Sequence, residues 1–291
     1  MSTYEIDGRR YYVSEAGAGE PVVLLHGFTG SAANWRGVMG RLAGHYRVLA
    51  IDLIGHGRSD SPDAVERYTM PSVTTDLGTL LARLGVLPAH WLGYSMGGRL
   101  ALYAAVNQPQ WVRSLVLESA SPGLRYAAEQ AMRRQQDEAL AARIEAEGIE
   151  AFVQSWEALP LFASQERLLA ETKETLRADR LANSTRGLAN SLRGMGTGAQ
   201  PSLWERLGEI DRPALLIAGE LDEKFVAINR KMADAIPGAA LRVVAGSGHT
   251  VHLERPDVFT ELVLGFLSEV SDGGGDNLAH AKQNNKGQRG Q

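Results

Sequence analysis

WLGYSMGGRL, residues 91–100, places one serine between glycines, with an apolar run before it and a helix-forming run after it. A serine in a tight strand-to-helix turn has strained backbone angles, and neighbours without side-chain bulk let the chain reverse without clashes. Gly93 and Gly97 suit that turn. The pattern G-x-S-x-G therefore predicts a nucleophile elbow, which points the Ser95 hydroxyl out of a sheet and leaves the first amides of a helix facing any developing anion.

Apolar runs on both sides of this stretch indicate a sheet. In several of them apolar residues follow one another without alternation, a pattern typical of strands buried on both faces. The runs occupy residues 21–26, 46–51, 90–94, 113–119, 213–219 and 240–246. Segments with helical spacing occupy residues 72–84, 97–107, 223–236 and 256–270. We therefore predict an α/β fold, a mostly parallel sheet with helices on both faces, with RRYYVSEAG, residues 9–17, as an antiparallel edge strand.

The alternation of strands and helices stops after Pro122. About eighty residues rich in Ala, Glu, Arg and Leu follow, with no convincing strand before Pro213. We interpret residues 122–207 as a helical cap inserted into a core formed by residues 1–121 and 208–270. The glycine-rich stretch SLRGMGTGAQPSLW in this segment should be its loop or hinge. The polar, glycine-rich residues 271–291 predict a disordered tail.

Composition excludes several classes of function. The chain has 291 residues, a formal net charge of -4 and no cysteine. It therefore has no overall positive field for nucleic acid, no disulfide and no thiol nucleophile. Its first residues contain no apolar core of signal-peptide length, and no window reaches the roughly 18 apolar residues of a membrane span. We expect a soluble cytoplasmic protein that binds neither nucleic acid nor a membrane.

The Ser95 hydroxyl needs a base, and two later strand ends supply candidates. Asp222 follows the run PALLIAGE, and His249 follows LRVVAGSG. Serine, acid and histidine in this chain order, each after a strand, are typical of a hydrolase triad. The neighbouring acids Glu220 and Glu223 leave open the interpretation of a solvated acidic turn.

Three other histidines compete with His249. We expect His26 to order the loop after the first apolar run and His56 to hold a surface turn. His252 lies three residues after His249, and packing or hydrogen bonding near the next helix is its more plausible role. For the oxyanion hole, the strand and glycine turn LLHGFTGS, residues 24–31, predict the backbone N–H of Phe28 as one donor and that of Met96 as the other.

The motifs HGFTGS, DLIGHGRS, GYSMGG, AGELD and GHTVHLE, in this order, resemble those of the α/β-hydrolase superfamily over residues 10–270. A dehalogenase is disfavoured, because its nucleophile position would carry Asp instead of Ser95. More specific stretches are GYSMGGRLALYAA, ESASPGLR, RRQQDE, WEALPLF and SLRGMGTGAQPSLW. Together they are similar to the 2-succinyl-6-hydroxy-2,4-cyclohexadiene-1-carboxylate synthase family of menaquinone biosynthesis, whose members expel pyruvate from their substrate.

That resemblance implies a small-molecule substrate with three carboxylates, bound by arginines on the elbow helix and the cap. The matching residues are Arg99, Arg134 and Arg180, with Tyr94 and Trp156 at other pocket positions; Arg133 replaces Arg134 if the register is off by one. Arg99 lies one helical turn from Ser95, near the mouth of the predicted site. A guanidinium can bind a carboxylate through two hydrogen bonds. The cap arginines are nearly matched by Glu and Asp, so solvated helix faces remain the alternative for them.

The implied reaction is proton abstraction followed by elimination. Ser95, paired with His249, removes a ring proton beside the succinyl carbonyl, the oxyanion hole holds the dienolate oxygen, and the enolpyruvyl group leaves as pyruvate. Asp222 fixes the tautomer of His249. No metal and no cofactor take part. The alternatives are a serine carboxylesterase, a C–C bond hydrolase and, in another class, a noncatalytic binding module on the same scaffold.

Overall fold

The central feature of the computed structural model, which describes residues 2–273, is a single eight-stranded sheet. Its order is β1-β2-β4-β3-β5-β6-β7-β8. The strands are β1 Ser2–Ile6, β2 Arg9–Ala16, β3 Pro21–Leu25, β4 Arg47–Ile51, β5 Ala89–Tyr94, β6 Val112–Glu118, β7 Ala214–Gly219 and β8 Ala240–Val244. In this order every neighbouring pair from β4 to β8 is parallel, whereas β2 is antiparallel to both of its neighbours, β1 and β4. The predicted α/β class is confirmed.

The prediction that the RRYYVSEAG stretch is an edge strand is wrong in one respect. This strand, β2, is antiparallel but lies between β1 and β4, so β1 is the edge. Tyr11 and Val13 of β2 are buried, as an interior strand requires. The edge strand has mostly exposed side chains in the sequence STYEI, so it lacks the apolar run that marks the other strands.

Helices cover both faces of the sheet. They are α1 Arg36–Leu42, α2 Met70–Arg83, α3 Met96–Asn107, α4 Ala127–Glu157, α5 Ala170–Leu181, α6 Thr185–Met195, α7 Glu223–Ala235, α8 Val251–Glu254 and α9 Pro256–Gly273. One apolar cluster joins α2, α3 and α7 to the sheet, and a second joins α1 and α9 to its other face. None of the helices within residues 2–273 is both long enough and apolar enough to cross a bilayer.

The segment between β6 and β7 is helical, with no strand among residues 119–213. It contains α4, α5 and α6, and α4 is interrupted at Gly148, where φ is +84°. A separate apolar cluster joins α4 to α6, with Ile144, Phe152 and Leu188 among its buried members. These observations are compatible with a cap, whose bounds at residues 122 and 207 stay a prediction.

Two predicted irregular segments are partly helical. The stretch SLRGMGTGAQPSLW begins inside α6, and its turn starts only at Gly196. Helix α9 continues to Gly273, so the first three residues of the predicted tail are helical. The rest of that predicted tail, residues 274–291, lies outside the described residues.

Candidate active site

Ser95 stands at the junction of β5 and α3 with the strained backbone of a nucleophile elbow. Its φ and ψ are 49° and -106°, a region that side chains rarely adopt. The two glycines around it are required by space. A Cβ at Gly93 would lie 2.4 Å from the Gly97 carbonyl oxygen, and one at Gly97 would lie 2.2 Å from the Leu25 carbonyl oxygen. The turn thus explains the glycines that the sequence places around this serine.

The structure brings Asp222 and His249 to Ser95 from the ends of β7 and β8. His249 Nε2 lies 3.2 Å from Ser95 Oγ, and His249 Nδ1 lies 2.5 Å from Asp222 Oδ2. Because the carboxylate accepts the Nδ1 proton, Nε2 is left as the acceptor that faces the serine hydroxyl. Both Asp222 and His249 are buried. The arrangement can remove a proton from Ser95 and hold the resulting imidazolium beside a carboxylate.

His26 and His56 form their hydrogen bonds with backbone groups and not with Ser95. His26 is buried beside the elbow, with Nδ1 2.8 Å from the Gly27 carbonyl oxygen and Nε2 accepting the Leu53 N–H at 3.0 Å. The prediction of a surface turn at His56 is wrong, because this residue is buried with its ring 5.1 Å from that of His26. Burial lowers the pKa of His26 to about 4 and that of His56 to about 3, so both stay neutral near pH 7.

The two amides predicted for the oxyanion hole lie on either side of the elbow. Phe28 and Met96 both line the cavity that contains Ser95 and His249. Neither amide has a hydrogen-bond partner among the described residues. The loop that carries Phe28 is held in a strained shape, since Thr29 has a φ of +68°. The Thr29 carbonyl oxygen accepts a hydrogen bond from Asn183 Nδ2 at 2.9 Å. The helical segment after β6 therefore fixes the loop that carries Phe28 and Thr29, which we call the oxyanion loop.

A cavity of about 240 Å³ lies over the triad, and Arg99 is buried in its wall. Arg99 Nη1 donates to the carbonyl oxygen of Met195 at 2.8 Å and to Gln200 Oε1 at 3.0 Å. Within residues 2–273 it forms no ion pair. Burial, reinforced by the nearby charge of Arg133, lowers the pKa of Arg99 to about 10. At neutral pH the cavity therefore contains a desolvated cation that has no directly bound carboxylate, and the nearby charge of Asp137 offsets it only in part.

The prediction of Arg134 as a pocket residue is wrong. Arg134 is exposed, donates to the Gly198 carbonyl oxygen at 3.2 Å and lines a separate surface groove. Arg133, the alternative, lines the cavity, with its Nε 2.7 Å from Asp137 Oδ1. Adjacent residues on a helix point about 100° apart, so an error of one residue turns the side chain away from the cavity.

Arg180 also lies outside the cavity, contrary to prediction. Its guanidinium is buried and hydrogen-bonded to Glu157 Oε1 at 2.9 Å and Gln165 Oε1 at 3.2 Å. It lies 5.6 Å from the ring centre of Phe162 and faces a smaller neighbouring cavity of about 30 Å³. Glu157 also binds Arg177, so the three side chains link the end of α4 to α5. In this conformation Arg180 therefore stabilises the helical segment and does not face the cavity over Ser95.

The two predicted aromatic residues both line the cavity. Tyr94 packs beneath the oxyanion loop and shares a 2.9 Å hydrogen bond with Thr250 Oγ1, while burial raises the pKa of Tyr94 far above its usual range. The Trp156 ring packs edge-on against Phe28 at 5.3 Å. Trp156 Nε1 is buried with no hydrogen-bond partner among the described residues. A buried N–H without a partner is unusual in folded proteins.

Sequence reasoning missed one cation of the cavity, Lys224. It is the second residue of α7, lines the cavity together with Leu161, and is exposed. Its Nζ lies 5.6 Å from the ring centre of Phe225, which packs 4.6 Å from the His249 ring. The sequence ELDEKF resembles a solvated acidic turn, so nothing in it predicts that Lys224 lines a cavity. No group of three or more His, Asp or Glu side chains within residues 2–273 could hold a metal ion.

The chain is similar in sequence and in structure to known α/β hydrolases. The sequence profile of the alpha/beta hydrolase fold family matches residues 20–256. A Bacillus subtilis (strain 168) protein, provisionally named 2-succinyl-6-hydroxy-2,4-cyclohexadiene-1-carboxylate synthase, is 46% identical over 91% of this chain and 97% of its own. The synthase of that name from Serratia proteamaculans (strain 568) is 32% identical over 84% and 92%. The structure of MenH from S. aureus matches with a TM-score of 0.85 and 41% identity, covering 90% of this chain and 98% of MenH.

Proposed function

Because this chain belongs to the α/β-hydrolase family and, within it, to the 2-succinyl-6-hydroxy-2,4-cyclohexadiene-1-carboxylate synthases, we propose that it is a lyase of menaquinone biosynthesis. Its reaction is the elimination of pyruvate from 2-succinyl-5-enolpyruvyl-6-hydroxy-3-cyclohexene-1-carboxylate. The observation that most directly supports a polyanionic substrate is Arg99, a buried cation that forms no ion pair and lies in the same cavity as Ser95 and His249. A pocket that binds a neutral ester is expected to be apolar around the leaving group and does not need a buried cation.

In the proposed mechanism Ser95 acts as a base and not as a nucleophile. His249 Nε2 accepts the hydroxyl proton as Ser95 Oγ takes the ring proton beside the succinyl carbonyl. The C–H electron pair forms the dienolate, whose oxygen binds the amides of Phe28 and Met96. Its collapse forms the new ring double bond and breaks the C–O bond to the enolpyruvyl group. That group leaves as the enolate of pyruvate and takes up a proton at carbon, so no covalent enzyme intermediate forms.

Three cations line the cavity and are proposed to bind the three substrate carboxylates. Arg99 lies deep and buried, Arg133 is half-buried on α4, and Lys224 is exposed at the start of α7. Charges at different depths can hold the two ends of one polyanion while its ring lies over the triad. This set replaces the predicted set of Arg99, Arg134 and Arg180. The Trp156 N–H supplies a further donor. A cytoplasmic location fits this role and stays a prediction.

Pyruvate release from the synthetic pathway intermediate tests the proposal, with hydrolysis of a neutral p-nitrophenyl ester as the second assay. We expect stoichiometric pyruvate above the buffer blank. Replacement Arg99→Met should lower kcat/KM for elimination by about 30-fold or more, the typical loss of a charge-assisted hydrogen-bonding pair. It should leave ester hydrolysis within about threefold. Equal losses in both assays would instead identify a serine carboxylesterase.

A further inference from the structure

Glu118 is a fully buried acid that takes no part in the proposed reaction. It nevertheless contacts the elbow at Ser95 and the segment that follows His249. It is the last residue of β6 and pairs with Tyr94 in the register of β5 and β6. Its backbone carbonyl accepts the N–H of Ser95 at 2.8 Å. The main chain of Glu118 therefore fixes the amide of the strained elbow residue.

The side chain of Glu118 extends to the segment that follows His249. Oε1 accepts the backbone N–H of His252 at 3.0 Å, and Oε2 accepts the Nδ1 proton of the same residue at 2.7 Å. Carboxylate and imidazole are both almost completely excluded from solvent. Two charge-assisted hydrogen bonds in a buried setting hold their partners more firmly than neutral bonds do.

His252 is fixed from its other sides by aromatic contacts. Its ring stacks on Trp35 with centroids 4.3 Å apart, and the Tyr94 ring lies edge-on at 5.0 Å. The Tyr94 hydroxyl also bonds to Thr250, the residue after His249. The segment of residues 249–252 is thus attached to the elbow at two points, through Glu118 and through Tyr94.

A buried carboxylate is costly where packing alone is needed, because an apolar side chain of similar size would fill the same space without desolvating a charge. The Ser95–His249 contact joins segments from β5 and β8, which are not adjacent in the sheet. Proton transfer requires this contact to stay within about 3.2 Å. We propose that Glu118 is a positioning residue, which anchors His252 and thereby keeps His249 Nε2 within hydrogen-bonding distance of Ser95 Oγ.

This inference rests on the use of the Ser95–His249 pair in the proposed function, but not on the identity of the substrate. The test therefore measures the rate at which an organophosphonate labels Ser95, which requires the triad whatever the natural reaction. It also measures kcat and KM for pyruvate release. A failure of the labelling prediction counts against Glu118 alone, whereas labelling without pyruvate release counts against the proposed function.

The decisive variants are His252→Asn and His252→Leu in the full-length protein. Asn and Leu are similar in shape and both lack the imidazole ring, and in both the backbone N–H of residue 252 can still donate to Glu118 Oε1. Only Asn can also donate a side-chain hydrogen bond to Glu118 Oε2, in place of the imidazole Nδ1–H. We expect labelling and kcat to be about tenfold faster in His252→Asn than in His252→Leu, with equal KM, since small misplacements of reacting groups cost rates of this order. Equal rates in the two folded variants would overturn the proposal.

A second variant decides the matter if His252→Leu does not fold. In Glu118→Gln the amide oxygen can still accept the His252 backbone N–H, and the amide NH₂ can donate to Nδ1 once the ring changes tautomer. Both anchoring bonds are kept, so labelling and kcat should stay within about threefold of the wild-type values. A loss of tenfold or more in this folded variant would show that charge, not anchoring, is what matters.

Discussion

Among the three cations proposed to bind the substrate, Arg99 is the one whose charge is most affected by burial. Its pKa is lowered to about 10, chiefly by burial, so the group is protonated below that pH and neutral above it. A neutral guanidine cannot hold a carboxylate as an ion pair. We therefore predict that kcat/KM for pyruvate release falls as the pH rises through about 10, as measured in a pH profile. A neutral ester hydrolysed by the same enzyme should show no such fall; a shared fall would mean that another group titrates.

Lys224 offers a second test at the scale of one residue. Replacement Lys224→Met removes the exposed cation of the cavity while keeping the length of the stem over Phe225. We expect KM for the polycarboxylate to rise by up to about fivefold at low salt, with kcat little changed, because an exposed charge contributes at most about 1 kcal/mol. The matched control is Lys231→Met, the same change further along α7 and outside the cavity. Equal effects of the two substitutions would assign the change to overall charge.

The residues of the triad were predictable because each follows a strand, and the carboxyl ends of parallel strands meet at one edge of a sheet. The positions of the cavity arginines were harder to predict from the sequence. Arg99 is fixed by its spacing from Ser95 on α3, whereas Arg133 and Arg134 differ only in the rotation of α4 about its axis. Arg180 could not be distinguished from a pocket residue, because its partner Glu157 lies on a different helix.

At the scale of elements, Asn183 connects the helical segment to the oxyanion loop. Its Nδ2 donates to the Thr29 carbonyl, and its Oδ1 accepts the Gly57 N–H at 2.9 Å. Replacement Asn183→Leu keeps the volume but removes both bonds. We predict that kcat falls about tenfold with little change in KM, since a displaced Phe28 amide would support the dienolate oxygen less well. Steady-state kinetics of pyruvate release would show this split.

The control for that experiment is Asn190→Leu. Asn190 is buried like Asn183, lies in α6 and links that helix to the core through hydrogen bonds to the carbonyls of Pro62 and Asp63. It should lose a similar amount of stability, seen as a fall of a few degrees in Tm, without the tenfold loss of kcat. If the two variants lose equal activity, general destabilisation accounts for the effect and the oxyanion loop needs no such support.

Elements were predictable where burial leaves a periodic pattern and not elsewhere. Consecutive apolar residues mark the buried parallel strands in the sequence. The bounds of β3 to β7 in the structure differ from those of the predicted apolar runs by at most one residue. The edge strand β1 has no such pattern, because hydrogen bonding to β2 and not burial defines it. The glycine-rich end of α6 was assigned to a loop, yet Gly194 lies in the helix packed against Tyr68, where any Cβ would clash.

For the whole molecule, the two buried neutral histidines predict lability in acid. His26 and His56 have folded pKa values lowered to about 4 and 3 by burial, against 6.5 for an ordinary histidine. Below pH 6.5 the unfolded chain binds protons that the folded chain does not, so these groups make the free energy of unfolding fall as the pH falls towards 4. Urea unfolding at pH 7.5 and at pH 5 measures this slope.

Replacement His56→Leu removes one of the two groups, together with a buried ring nitrogen that has no partner among the described residues. We expect its stability to decline less steeply in acid than that of the wild type, by about 1.4 kcal/mol per pH unit in the steepest range. An unchanged slope would mean that His56 is protonated in the folded state.

The overall architecture followed from the order of motifs along the chain, because strand ends, elbow and triad must coincide for any of them to function. The relation of the helical segment to that core did not follow. Its contacts with the oxyanion loop, such as Asn183 with Thr29, join residues about 150 positions apart through polar groups that have no periodic pattern.

The central claim is that Ser95 abstracts a proton from a polyanion instead of attacking a carbonyl. Pyruvate release from substrate deuterated at the ring carbon beside the succinyl carbonyl, in single turnovers, tests it most directly. We expect one pyruvate per substrate, slower release from the deuterated compound, and loss of release above the buffer blank in Ser95→Ala. Equal release rates from both isotopic forms with a covalently modified Ser95 in the wild type, or undiminished release by Ser95→Ala, would contradict it.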